Sequence, residues 1–291
     1  MIKMKLSLNL FIILTFCLIL IGCQTFSEEE KTSELTITTS LPVITSLVNE
    51  LFYNTNVSIK SISKNKVHPA YYLEYPYNIH NKLNTDILLL SGDSDKWLLD
   101  LVNRDKFSDI LVLKSFSSPI YGNYNNWFDL NAILSYSNSI LNIVKFEHNE
   151  FYLENKDQLN KNHEKLKSEI NQILDENNDL FYSNIISTEP SFVYLYRNFR
   201  INNHGVFFNN IDRSIKVKQI EEFIEIINSQ EISCLINDDY HNDYLFEIIK
   251  NELTQKNQSL NFVSLNLQPS PDNNYTLFIK EQVNHLKNCI N

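Results

Sequence analysis

Val67-His-Pro-Ala-Tyr-Tyr-Leu-Glu-Tyr-Pro76, a helix-length segment ending at Leu83, and then Asp86-Ile-Leu-Leu-Leu-Ser-Gly-Asp-Ser-Asp-Lys-Trp97 decide how this 291-residue chain is read. The first run puts a histidine at the tip of a strand. The second is a continuous apolar strand, followed by an exposed turn that opens another helix. A strand that is apolar at successive positions is buried on both faces, which is the signature of a parallel sheet covered by helices. His68 therefore stands at the mouth of such a sheet.

The same alternation extends outward in both directions. Residues 35–39 read as a strand, Pro42 opens a helix with Val43, Leu47, Val48 and Leu51 on one face, and residues 57–63 read as a second strand. Residues 86–90 and 110–113 continue the series. Trp127 and Asp129 open a helix running to about residue 146. Between residues 150 and 179 there is neither Gly nor Pro, and Leu159, Leu166 and Ile173 recur every seven residues with Ile170 and Leu174 beside them. A single helix of about 28 residues spans roughly 40 Å, the length of a strut joining two domains. The second half then repeats the first: strands at 184–187, 205–208, 234–237 and 261–265, with helices at 191–197, 216–228, 244–254 and 275–290. The expected fold class is α/β, with two lobes that each carry a parallel sheet flanked by helices, joined by one long backbone helix. The expected segments are a leader at 1–22, a tether at 23–34, an N-terminal lobe at 35–148, a linking helix at 149–180 and a C-terminal lobe at 181–291.

The N-terminus supplies an address. Lys3 and Lys5 precede an apolar run from Phe11 to Ile21 that ends in Gly22-Cys23, the form of a lipoprotein signal peptide. Cleavage would leave Cys23 as a lipidated first residue, and multiple acyl chains hold a membrane far better than one. Residues 24–34 have nothing to bury and read as a flexible acidic tether. The whole chain carries a formal charge of −10, and loss of Lys3 and Lys5 makes it −12. Such a surface repels phosphate backbones, so nucleic acid is not an expected partner. Cys17 leaves with the leader, so Cys234 and Cys289 remain in an extracytoplasmic setting. They are either two separately buried thiols or one disulfide, and the compartment favours the bridge.

Several chemistries lack their residues. The chain beyond the leader keeps only Gly92, Gly122 and Gly205, too few for a dinucleotide fingerprint or a phosphate loop. There is no Gly-x-Ser-x-Gly elbow, no His-Glu-x-x-His helix and no paired-cysteine zinc cluster. Catalysis is not expected. What remains is a polar residue just beyond each of several strands: His68, Asn125, Glu189, and the group Asp238, Asp239, His241 and Asp243. Ligands of open α/β sheets bind outside the carboxyl ends of their strands, so a site between the lobes is expected.

These residues carry a family resemblance over nearly all of the chain from Leu35 onward. His68 with the following Glu, Pro and short helix, and the strand 86–90 ending near Gly92 and Trp97, resemble the opening motif of the metal-binding receptors of bacterial zinc and manganese ABC importers, the ZnuA/TroA-like solute-binding lipoproteins. Asn125-Asn126-Trp127-Phe128-Asp129 is similar to the family segment in which a ligating His stands two residues before Trp; here that place holds Asn125. Ser187-Thr188-Glu189-Pro190 looks like the third ligand turn, with Glu189 in the ligand place, and the loop after Asn237 matches the fourth, with His241 nearest and Asp239 and Asp243 close by. The closing helix, Cys289 included, resembles that of the zinc receptors. The resemblance implies metal ligands His68, Asn125, Glu189 and His241 or Asp239, with Zn²⁺ or Mn²⁺ as the transported ligand. It also implies an ABC permease and ATPase as partners, a monomer, and a membrane-anchored lipoprotein on the periplasmic or outer surface. Asn125 in place of an imidazole leaves a second expectation open: a diverged receptor-like lipoprotein that no longer binds metal and serves as an adhesin or surface interaction module.

Overall fold

The computed structural model describes residues 34–63, 85–92, 95, 98, 109–113, 125–187, 192–206, 217–238, 244–255, 260–269 and 273–291. In the first lobe, β1 (Leu35–Thr39), β2 (Val57–Ser61), β3 (Ile87–Leu90) and β4 (Asp109–Val112) form a parallel sheet in the order β2-β1-β3-β4. Ile37 is level with Ile59 on one side and Ile87 on the other, and Leu89 with Leu111. All four residues of β3 are buried, as its unbroken Ile-Leu-Leu-Leu run requires of a central strand. Helix α1 (Pro42–Leu51) begins on Pro42, whose missing N–H costs nothing in a first helical turn.

The second lobe repeats this topology. Strands β5 (Asn184–Ser187), β6 (Asn202–Val206), β7 (Cys234–Asp238) and β8 (Asn261–Leu265) are parallel in the order β6-β5-β7-β8. Helices α4 (Val193–Asn198), α5 (Val217–Ser229), α6 (Tyr244–Gln255) and α7 (Tyr275–Ile290) complete it. Strand β6 starts three residues before the expected 205–208. The apolar residues after Gly205 drew that expectation, but β6 is an edge strand, and its pairing with β5 starts at Asn202 opposite Asn184. Polar Asn202, Asn203 and His204 suit a strand that stays partly in solvent.

In chain order α2 (Leu130–Glu147) and the long α3 (Asn149–Glu176) come between the two sheets. The Asp129 side chain caps α2 by accepting from the Ala132 amide at 3.0 Å. At 28 residues α3 has the expected length, and Leu159, Leu166, Ile170 and Ile173 form its buried stripe. It is more than a free strut. Its Asn162 Nδ2 donates to the carbonyls of Leu51 (3.0 Å) and Tyr53 (2.8 Å), tying it to the end of α1. One hydrophobic core also runs through both lobes, from Leu35 and Ile37 by way of Trp127, Phe128 and Leu166 to Ile185, Phe278 and Cys289. A disulfide joins Cys234, the first residue of β7, to Cys289 near the end of α7, with the Cα atoms 5.5 Å apart, so the expected bridge is formed. Among the described residues no helix is long and apolar enough to cross a membrane.

Candidate functional site

In both sheets the strand order reverses at the same place, between β1 and β3 and between β5 and β7. The chain leaves the two central strands towards opposite sides there, and ligands of such sheets bind outside the carboxyl ends at that point. The residues that end these strands are polar and buried: Ser40 and Ser91 in the first lobe, Ser187 and Asn237 in the second.

In the first lobe they are organised by Asp95, which is 2% exposed. Its Oδ2 accepts from Ser40 Oγ at 2.5 Å, from Ser91 Oγ at 2.6 Å and from the Ser91 amide at 2.7 Å. Burial raises the Asp95 carboxyl above its ordinary value, and the hydrogen bonds from the two serines pull the other way. The turn after β3, expected to be exposed, is therefore folded inward at Asp95, because three donors at the ends of two adjacent strands converge there. Behind it the Tyr136 hydroxyl donates to the Leu90 carbonyl at 3.0 Å, and burial together with Asp95 keeps that phenol neutral.

Asn125 is the expected ligand that falls within the described residues, and it is 8% exposed. It begins a single 3₁₀ turn, Asn126–Phe128, and its carbonyl accepts from the Phe128 amide at 3.2 Å. Two features fix this turn. Gly92, at φ +146°, lets it approach the end of β3, since a Cβ there would collide with the Asn126 amide nitrogen. From the other side the second lobe grips Trp127: its Nε1 donates to the Leu267 carbonyl at 3.2 Å, and its carbonyl accepts from Tyr275 Oη at 2.7 Å. Nearby, Asn198 Nδ2 donates to the Phe128 carbonyl at 2.7 Å, and the Val43 amide at the start of α1 donates to Gln268 Oε1 at 3.1 Å. Asn125 is thus held at the carboxyl end of the first sheet, in a turn clamped between the lobes.

His68, Glu189, Asp239, His241, Asp243 and the lipidation residue Cys23 lie outside the described residues. In sequence Glu189 stands two positions beyond the last residue of β5, and Asp239 directly follows β7. Among the described residues no three of His, Cys, Asp and Glu gather where they could hold a metal ion. The Ser40–Ser91–Asp95 network was missed by sequence reasoning. Its only signal is a serine immediately after each of two central strands.

Two parallel four-stranded sheets of the same strand order, joined by one long helix, define the fold of two-lobed α/β solute-binding proteins. Residues 37–289 match the family described as zinc-uptake complex component A, periplasmic, and the chain belongs to that family. Its members are extracytoplasmic metal-binding receptors for import rather than enzymes. No protein of curated function matches the chain in sequence. Among solved structures it is similar to the laminin-binding protein Lmb of Streptococcus agalactiae, described as a bifunctional protein with adhesin and metal-transporting activity, at 14% identity and a TM-score of 0.73, covering 89% of this chain and 100% of that one. It is also similar to a Zn(II)-bound variant of AdcAII of Streptococcus pneumoniae (14% identity, TM-score 0.70, 89% and 99% covered). A third is a Mn-bound variant of a periplasmic metal-binding protein from Candidatus Liberibacter asiaticus (14% identity, TM-score 0.70, 88% and 100% covered). At these identities the likeness is one of fold.

Proposed function

We propose that the chain is a lipid-anchored substrate-binding protein of an ABC importer that captures Zn²⁺ or Mn²⁺ between its lobes and delivers it to a permease and ATPase. The family match over residues 37–289 is the observation that carries this reading. In it, residues 1–22 are removed as a signal peptide, Cys23 carries the lipid, residues 23–34 are the tether, and residues 149–180 link lobes at 35–148 and 181–291. The protein works as a monomer and binds no nucleic acid. His68, Asn125, Glu189 and either His241 or Asp239 hold the ion as cargo. This set mixes nitrogen and oxygen donors, which zinc accepts in three- or four-ligand sites and manganese accepts for its harder oxygens. The zinc in the AdcAII variant and the manganese in the Liberibacter protein, on the same fold, support either ion.

Uptake of labelled zinc or manganese by cells that depend on this chain tests the reading. His68→Ala together with Glu189→Ala should abolish uptake, and Cys23→Ser should abolish incorporation of labelled fatty acid. Uptake undiminished by the double substitution would overturn the ligand assignment.

One observation favours a second reading, a surface adhesin without metal binding: the amide of Asn125 where the related receptors place an imidazole. Asn125→His separates the two. A working receptor shifts its preference modestly towards zinc, whereas a receptor that has lost binding acquires it.

A further inference from the structure

Three parts of the chain meet on one hydroxyl. Glu50 near the end of α1 belongs to the first lobe, Glu169 lies on α3, and Thr276 is the second residue of α7 in the second lobe. The Thr276 amide donates to Glu50 Oε2 at 3.0 Å. Thr276 Oγ1 lies 2.8 Å from Glu50 Oε1, 2.6 Å from Glu169 Oε2 and 3.4 Å from Asn274 Oδ1. A threonine hydroxyl has one proton to give and lone pairs to accept with. It can donate to only one of these oxygens. Two hydrogen bonds as short as those to Glu50 and Glu169 therefore need a second proton, on one of the carboxyls. Asn274 Oδ1 has no proton to give; it is an acceptor and takes the Leu277 amide at 2.8 Å.

We propose that Glu50, Thr276 and Glu169 form a proton-sharing clasp that ties the first lobe, α3 and the second lobe together while one carboxyl is protonated, and loosens when both are ionised. The proton belongs on Glu50, with Thr276 accepting it and donating onward to Glu169. Glu50 is only 8% exposed, and burial raises its carboxyl above the ordinary value of 4.5, with Glu169 adding to the rise. Lys165 Nζ lies 3.8 Å from the other oxygen of Glu169.

Among the described residues, other charged and titratable groups surround the clasp, including Glu281 of α7, which accepts from Asn273 Nδ2 at 3.2 Å. Lys161 and Lys165 of α3 and Tyr53 beyond α1 line the same groove of about 740 Å³ as Glu50, Asn273 and Asn274, and the groove gives water a route to the pair. On α7, burial together with Glu50 and Asp129 holds the Tyr275 phenol neutral. A carboxyl whose value is higher in the fold than in the unfolded chain contributes stability that is complete below the unfolded value. That contribution is lost as the pH rises through the folded value. The clasp is therefore strongest below about pH 4.5 and weakens above it.

Thermal unfolding of the full chain against pH, for wild type and Glu50→Gln, tests this. A glutamine amide donates to Thr276 Oγ1 and its carbonyl accepts the Thr276 amide, so the substitution fixes the clasped arrangement. At mildly alkaline pH its Tm should exceed that of wild type by about 2–4 °C, and the difference should vanish in acid. A difference that does not change with pH, or a lower Tm at every pH, overturns the proposal. A carboxyl carbon NMR titration of the wild-type chain needs no variant. Glu50 should titrate above 4.5, and a midpoint at or below that value overturns it equally.

Discussion

Gly92 and Asp95 shape the carboxyl ends of the first sheet: Gly92 admits the Asn126 side chain, and Asp95 joins Ser40 to Ser91. Gly92→Ala places a Cβ against the Asn126 amide at a backbone angle that side chains rarely adopt. It should cost about 1–3 kcal/mol, measured by urea denaturation, and displace the turn that holds Asn125. Asp95→Ala takes the shared acceptor from the Ser40 and Ser91 hydroxyls, while the Ser91 amide keeps Ser40 Oγ at 3.1 Å. With each lost buried hydrogen bond of this kind costing about 1–3 kcal/mol, a loss of at least about 2 kcal/mol is expected in the same measurement. A loss under about 1 kcal/mol would mean that the serines find other partners. The turn that carries Asn125 was legible in the sequence because Trp127 and Asp129 mark the opening of the following helix. Ser40 and Asp95 were not, because they meet across 55 positions and only the packing of β1 against β3 brings them together.

Among the elements, the strands of continuous apolar residues and the seven-residue repeat of α3 were read directly, since burial on two faces or along one stripe leaves a periodic trace. Edge strand β6 left a weaker one. Half-exposed, with Asn202, Asn203 and His204 in it, it has no apolar pattern to mark its start. The polar ties of α3 to α1 and α7 were likewise invisible, because Asn162, Glu50 and Glu169 look like ordinary surface residues in sequence. The bridge from Cys234 to Cys289 fastens β7 to α7 across 55 residues. On the chain-entropy view, reducing it should lower stability by about 4 kcal/mol, read from urea denaturation with and without reductant. No change on reduction would show that the core shared by β7 and α7 already restrains both.

At the scale of the whole molecule, the two lobes are joined by α3, by the grip on Trp127 and by one continuous core, so binding of cargo should move them little. Small-angle scattering of the protein with and without metal should give radii of gyration that agree within error, and a clear contraction would contradict a rigid link. The fold and the family support a metal receptor, and the mixed donor set His68, Asn125, Glu189 and His241 or Asp239 is the part of the account that most needs direct measurement. Isothermal titration of the metal-stripped chain with Zn²⁺ and then Mn²⁺ provides it. At least one ion should bind with Kd below about 10 µM, roughly −7 kcal/mol, and His68→Ala with Glu189→Ala should abolish that binding. Binding of neither ion at that strength, or binding that survives the double substitution, would contradict it.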